Sequence, residues 1–166
     1  MTNTWLNNDN LYVKFGTAQA TAQTAGEYKL DGPDHMIEIK LDLTTLTQTE
    51  TIQSDTVFFP KSARIRRIDV VTHTAAATGT AIDVGFIRSS DRTTEIDYNG
   101  LLAAFPTASM SADGETTTLT NGSTYAGALI GADTSSTYVG HISASMTDAT
   151  SFTTGVIYVR IYYYCV

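Results

Sequence analysis

The sequence predicts an all-β protein, a single antiparallel β-sandwich of jelly-roll type behind an extended N-terminal arm, and three observations lead there. Residues 35–43 alternate strictly, with Ile37, Ile39, Leu41 and Leu43 against Glu38, Lys40 and Asp42. A period of two sends four aliphatic side chains to one face and three charges to the other, the pattern of a half-buried strand. Similar runs recur to the C-terminus, about seven to nine in all and separated by turn residues, as in sandwiches and barrels. Threonine, β-branched and hydroxylated, is the commonest residue, so strands can face water without charge.

The elements follow in order. Residues 1–30 form a compositionally separate arm ahead of a sandwich domain at 31–166. Within the arm, residues 11–16 read as a short strand with Leu11, Val13 and Phe15 on one face. The tract at 17–26 that follows has no aliphatic residue larger than alanine, too little apolar surface to order itself. It is either a flexible segment or an arm ordered against a neighbouring subunit, anchored by Trp5, Leu6, Tyr12 and Phe15. Gly32-Pro33 turns the chain into the strand at 35–43. Residues 56–59 make a short strand ended by Pro60, and 63–74 the next. There the alternation slips at Arg66-Arg67, because Ile65 and Ile68 have opposite parity, and a β-bulge at the arginines restores a common inner face.

Thr78-Gly79 marks a turn before the alternating Ile82, Val84 and Phe86. Residues 89–114 break the β pattern, and 97–106 predict a short helical turn closed by Pro106. Asn121-Gly122 after Leu119-Thr120 is the preferred pair for a tight hairpin. Residues 139–146 are a strand of small residues. The last run, 155–165, sets Ile157, Val159, Ile161 and Tyr163 against Val156, Tyr158, Arg160, Tyr162 and Tyr164.

Composition narrows the function. A hydrophobic content of 42% suits a packed core, whereas 16% charged residues is low. Ten basic against 17 acidic residues give a net charge of −7, a poor match to a polyanion, so no nucleic-acid partner is expected. The basic cluster of Lys61, Arg64, Arg66 and Arg67 reads as a solvated strand start or a meeting point for an acidic face. Cys165 is the single cysteine, so no internal disulfide forms. No segment reaches the roughly 18 consecutive apolar residues of a membrane helix, and the first residues lack a secretory signal pattern. Synthesis in a cytoplasm and no membrane partner are the expectation.

Candidate chemistry is sparse. His35, His73 and His141 lack metal-ligand spacing, and Cys165 has no nucleophile setting. Asp83, Asp91, Glu95 and Asp97 could serve as a carboxylate pair or a cation site. Their interleaving with Arg88 and Arg92 reads instead as ion pairs on a loop. No catalytic residue, metal ligand or cofactor is assigned. The tyrosines Tyr158, Tyr162 and Tyr164 form an amphipathic stripe, suited to subunit contact or to stacking on a sugar, or simply a covered second face.

On these residues the chain resembles the small head proteins of tailed bacteriophages that decorate or cement the capsid shell. The resemblance rests on Phe59-Pro60-Lys61-Ser62-Ala63-Arg64-Ile65, the Thr/Ala turn at 74–80 leading to Ala81-Ile82-Asp83-Val84-Gly85, and a final strand of the 157–164 type. It covers residues 35–90 and 137–164. It implies a virion protein of the head surface, a homo-oligomer with a trimer favoured, whose partner is the major capsid protein. The residues expected to make those contacts are Trp5, Leu6, Leu11, Tyr12, Val13 and Phe15 of the arm with Tyr158, Tyr162 and Tyr164 of the stripe. A collar, tail or fibre-base component and a carbohydrate-binding module are the alternatives.

Overall fold

A computed structural model describes residues 35–54, 56–60, 63–132 and 139–165 with their side chains, and the backbone alone of Thr4–Leu6, Tyr12–Lys14 and Ala25–Lys29. Those three backbone segments are β1, β2 and β3. β1 and β2 pair antiparallel, with Trp5 opposite Val13 and Leu6 opposite Tyr12.

The body is built of β4 (His35–Asp42), β5 (Thr51–Ile52), β6 (Phe58–Phe59), β7 (Ala63–Thr78), β8 (Ala81–Arg88), β9 (Glu95–Pro106), β10 (Thr116–Thr120), β11 (Gly140–Met146) and β12 (Phe152–Cys165). One sheet has the order β10-β7-β12-β4-β3; the other runs β5-β11-β8-β9, with β6 also on β11. Every strand pair is antiparallel. With β5 and β6 counted as one interrupted strand, the first, third, sixth and eighth positions of the body share one sheet and the others share the second. That interleaving of two Greek keys is the jelly roll.

Alternation explains why these residues form these strands. Ile37, Ile39 and Leu41 on β4 and Ile157, Val159 and Ile161 on β12 are fully buried. The register sets Ile68, Ile161 and Ile37 side by side, then Val70, Val159 and Ile39. Across the core stand Ile82, Val84 and Phe86 of β8 and Ile142, Ala144 and Met146 of β11. Phe59 joins the two layers, its ring 4.8 Å from those of both Phe86 and Tyr163. The bulge on β7 is where the parity slip puts it: Tyr162 faces Arg67 while Tyr163 faces Ile65. Arg66 is the extra residue, so Ile65 and Ile68 both point inward.

Two expectations are corrected. Residues 97–106 are not a helical turn but part of β9, and the short 3-10 helix Thr107–Met110 begins only after Pro106. The β pattern was hidden because β9 is doubly irregular. Between Val84 and Phe86 of β8 lies Gly85 alone, yet their partners Leu102 and Asp97 are five positions apart. The excess folds over Gly85, where a Cβ would sit 1.9 Å from the Asp97 carbonyl oxygen. A second irregularity puts Ala104 at φ +47°.

The Asn121-Gly122 turn exists, with Ser123 N–H donating to Thr120 O at 2.9 Å, but no hairpin follows. Residues 123–131 instead reach the other sheet and return, forming isolated bridges from Ala126 to Leu102 of β9 and then from Ile130 to Ile65 of β7. Tyr125 and Ile130 make this crossing favourable: Ile130 is buried, and Tyr125 meets Phe105 edge-on at 5.9 Å. Gly127 permits it, because a Cβ there would lie 2.1 Å from Gly100 backbone.

Ile161→Ala removes a fully buried side chain at the centre of the first sheet. It is expected to lower unfolding free energy by about 2–5 kcal/mol, read from the midpoint of a urea titration.

Candidate interaction face

Pairing on both sides of β12 lays the outward side chains of the first sheet in rows. One row is Thr118, Asp69, Arg160 and Glu38; the next is Thr120, Arg67, Tyr162 and Met36; the third is Thr116, Val71, Tyr158 and Lys40. Some neighbours within and between the first two rows are bonded. Thr118 Oγ1 donates to Asp69 Oδ1 at 2.8 Å, and the other Asp69 oxygen lies 3.4 Å from an Arg67 guanidinium nitrogen. Arg160 Nε donates to Glu38 Oε2 at 2.7 Å. That hydrogen bond is the main reason the Arg160 pKa is raised further, which keeps the side chain a cation. The Arg67 guanidinium carbon sits 4.0 Å above the centre of the Tyr162 ring, and His73 meets Tyr158 edge-on at 5.8 Å.

Each such contact at a partly exposed site contributes about 0.5–1 kcal/mol at most, so the core, not this face, stabilises the sheet. What the contacts do is hold long side chains in place, which lowers the entropic cost of covering the face.

Tyr158, Tyr162 and Tyr164 are thus together on one half-buried face, Tyr164 opposite Arg64 at its end. Of the two arginines that organise this face, Arg67 belongs to the basic cluster that reads as a solvated strand start or a meeting point for an acidic face, and Arg160 is not marked as a contact residue. Strand parity assigns Arg160 to the same face as the tyrosines, but its pairing with Glu38 depends on β4 lying beside β12, 122 residues away in sequence. Of the arm candidates, Trp5, Leu6, Tyr12 and Val13 lie on β1 and β2 by backbone, and their side chains, with all of Leu11 and Phe15, fall outside the described residues.

The second sheet has a polar outer surface that is nevertheless covered. Asp83, His141, Ser143 and Ser145 are buried there. A strap of residues 47–54 with β6 covers the β11 side: Met146 N–H donates to Thr47 O and Gln53 N–H to Ile142 O. His141 Nδ1–H is directed at the Ser54 carbonyl oxygen 3.1 Å away, under the ring of Phe58 at 4.7 Å. The Ser143 hydroxyl donates to Glu50. From the other edge, the excess of β9 covers Gly85. Asp83 completes the arrangement by accepting from the N–H of the strained Ala104 at 2.8 Å, in place of a strand partner.

The carboxylates at 91–97 are committed to local turns. Asp91 accepts from Thr93 N–H, Thr94 N–H and the Thr94 hydroxyl, bonds that lower its pKa to about 2. Glu95 and Asp97 accept from the N–H groups of Tyr98 and Asn99. Among the described residues no group of three or more His, Cys, Asp or Glu side chains is placed to hold a metal ion. The three histidines stand apart, His35 stacking on Tyr163 at 5.3 Å and the others as given.

Fold and face together define an all-β jelly-roll protein with an ordered arginine–tyrosine surface. No family model matches this chain, and no curated protein does. Three solved structures are similar to it. They are the capsid of Ralstonia phage GP4 (15% identity, covering 89% of this chain and 94% of that one, TM-score 0.49), the acidic stable capsid structure of Helicobacter pylori bacteriophage KHP30 (14%, 84% and 93%, 0.47), and the cyanophage Pam1 capsid asymmetric unit (12%, 90% and 92%, 0.47).

The Glu50 carboxyl makes stability depend on pH. Burial raises its pKa, the Ser143 hydrogen bond opposes, and the negative charges of Glu95 and Asp97 add to the rise. A carboxyl raised in the folded state binds its proton more readily there than in the unfolded chain. Its contribution to stability is therefore present at low pH and lost as pH rises through the folded value. Glu50→Gln keeps a polar partner for Ser143 without the charge. The variant is expected to melt higher than the wild type at about pH 7, and the gap to close near about pH 4, where ordinary glutamate titrates.

Proposed function

We propose that this protein is a structural component of a phage virion that decorates the head and stabilises it by holding neighbouring capsid subunits together. The observation that carries the reading is the outer face of the first sheet, where Arg67, Asp69, Arg160 and Glu38 hold Tyr162 and its neighbours in fixed rows. Tyrosine and arginine are the residue types enriched where protein surfaces meet, and pre-ordered ones bind at least entropic cost. Jelly rolls are a recurrent architecture of viral shells, an analogy of fold that supports the reading without deciding it.

The partner in this reading is the major capsid protein, and the decorating unit is a homo-oligomer, with a trimer favoured. The arm at 1–30 supplies a second contact through Trp5, Leu6, Leu11, Tyr12, Val13 and Phe15. Because β3 pairs with β4, the arm starts from a fixed point at the sheet's edge. Two weak contacts joined by one rigid body give an avidity neither has alone. The negative net charge suits a surface that meets protein rather than nucleic acid. A collar or tail position would use the same face and differ only in where the protein sits on the particle. Sugar stacking is less well served, since the guanidinium of Arg67 already occupies one face of the Tyr162 ring.

The test is occupancy on purified particles. Tyr162→Ala combined with Arg160→Ala, and separately removal of residues 1–24, which leaves the edge strand β3 on β4, are each expected to reduce the protein-to-shell ratio by about tenfold, a loss of roughly 1.4 kcal/mol. Retention at the wild-type ratio in both variants would overturn the reading. Particles that bind soluble glycan through this protein would favour the carbohydrate module instead.

A further inference from the structure

A β-sheet edge offers unpaired main-chain groups to any passing strand, and folded proteins blunt such edges with charge, proline, bulges or a cover. Three of the four edges in the body are blunted. β9 carries Glu95 and Asp97, is bulged, and is covered by residues 125–129, which exchange main-chain hydrogen bonds with Gly100, Leu101 and Ala103. β5 and β6 are two residues each, and Pro60 follows the second. β3 carries Glu27 and Lys29. Among the described residues, β10 has none of these devices. Its sequence is Thr-Thr-Thr-Leu-Thr, without charge or proline, and its register to β7 is unbroken over five residues.

The direction of its open groups follows from the pairing. Thr72 N–H donates to Glu115 O at 2.8 Å. In an antiparallel pair, residues alternate between bonding the neighbour and facing away from it. Thr117 and Leu119 therefore bond β7, while Thr116, Thr118 and Thr120 face the edge. Thr120 is used locally, its N–H donating to Ser123 Oγ and its C=O accepting from Ser123 N–H, both at 2.9 Å. Two residues remain, Thr116 and Thr118, each with one donor and one acceptor. Glycines flank them at 114 and 122, where a Cβ would meet nothing within 4 Å.

We infer that β10 is a self-pairing edge, on which the β10 strand of a second copy adds antiparallel about a twofold axis through Thr117. The occupant follows from the register. Centring on Thr117 puts Thr116 of each copy opposite Thr118 of the other, so both open residues bond at once. On the outer face two Thr–Thr cross-strand pairs result, which are favourable. Thr117 meets Thr117, Glu115 meets Leu119, and Thr120 meets Gly114, so no like charges oppose each other in chains of net charge −7. The product is one continuous sheet running through both copies. The contact uses the main-chain edge of β10, whose outward threonines border the arginine–tyrosine face, and a twofold seam of this kind can join units that are already rings.

Sedimentation equilibrium of the full chain over a concentration series tests this. The smallest species, whether a single chain or a ring, is expected to double in mass as concentration rises. Thr116→Lys puts a charge beside the axis, and Thr116→Pro deletes an open N–H at a position where β7 needs none. Both are expected to weaken doubling by about tenfold or more while keeping the wild-type circular dichroism spectrum. Gln48→Lys, an equal charge change on an exposed residue away from β10, is expected to double like the wild type. A wild-type mass that never doubles, or doubling of Thr116→Lys at wild-type strength, overturns the inference. Should Thr116→Pro fail to fold, Thr116→Lys still decides. Because the experiment uses no particles, its outcome is separate from that of the virion reading.

Discussion

Everything in the first sheet hangs on the placement of β12 between β7 and β4. The strand's two faces are read by different parts of the molecule: Ile157, Val159, Ile161 and Tyr163 belong to the core, and Tyr158, Arg160 and Tyr162 to the outer rows. A shift of one residue against either neighbour would exchange the two sets and bury a guanidinium among aliphatic side chains. The energy that holds the register is apolar burial on the inner face. The geometry that results on the outer face is a by-product of it.

The second sheet solves a different problem. Its outer side chains are buried like core residues but carry hydroxyls, an imidazole and a carboxylate, and burying such groups without partners is costly. The strap and the excess of β9 supply several of those partners, Ser54 O for His141, Glu50 for Ser143 and Ala104 N–H for Asp83. The second sheet thus has a packed interior on one side and a bonded polar layer on the other, whereas the first sheet leaves its outer side half-open. That asymmetry leaves the first sheet with the more open outer side.

How much of this was legible in the residues depends on whether the determining contacts are local. β4, β7, β8, β11 and β12 were readable because a period of two runs through most of each, and the slip at Arg66 announced its own bulge, whereas the further register shifts between Phe152 and Ile157 carry no such mark. β9 was not, since Leu101-Leu102-Ala103-Ala104-Phe105 follows neither period once five β9 positions are matched to two on β8. The Asn121-Gly122 turn was legible and its continuation was not, because whether Tyr125 and Ile130 return along β10 or cross to Phe105 and Ile65 is decided by what lies across the core. The tyrosine stripe was legible from parity alone. Its arginine and carboxylate company was not, for it is assembled from strands far apart in the chain.

The extra residue on β7 has a consequence for how such a surface can change. By looping one position out of the ladder, Arg66 lets two successive arginines project while Ile65 and Ile68 stay in phase with β12. The chemistry displayed at that point is therefore uncoupled from the packing beneath it. Substitutions there can alter the charge on display at little thermodynamic penalty, leaving a lineage free to vary its surface while its scaffold stands still.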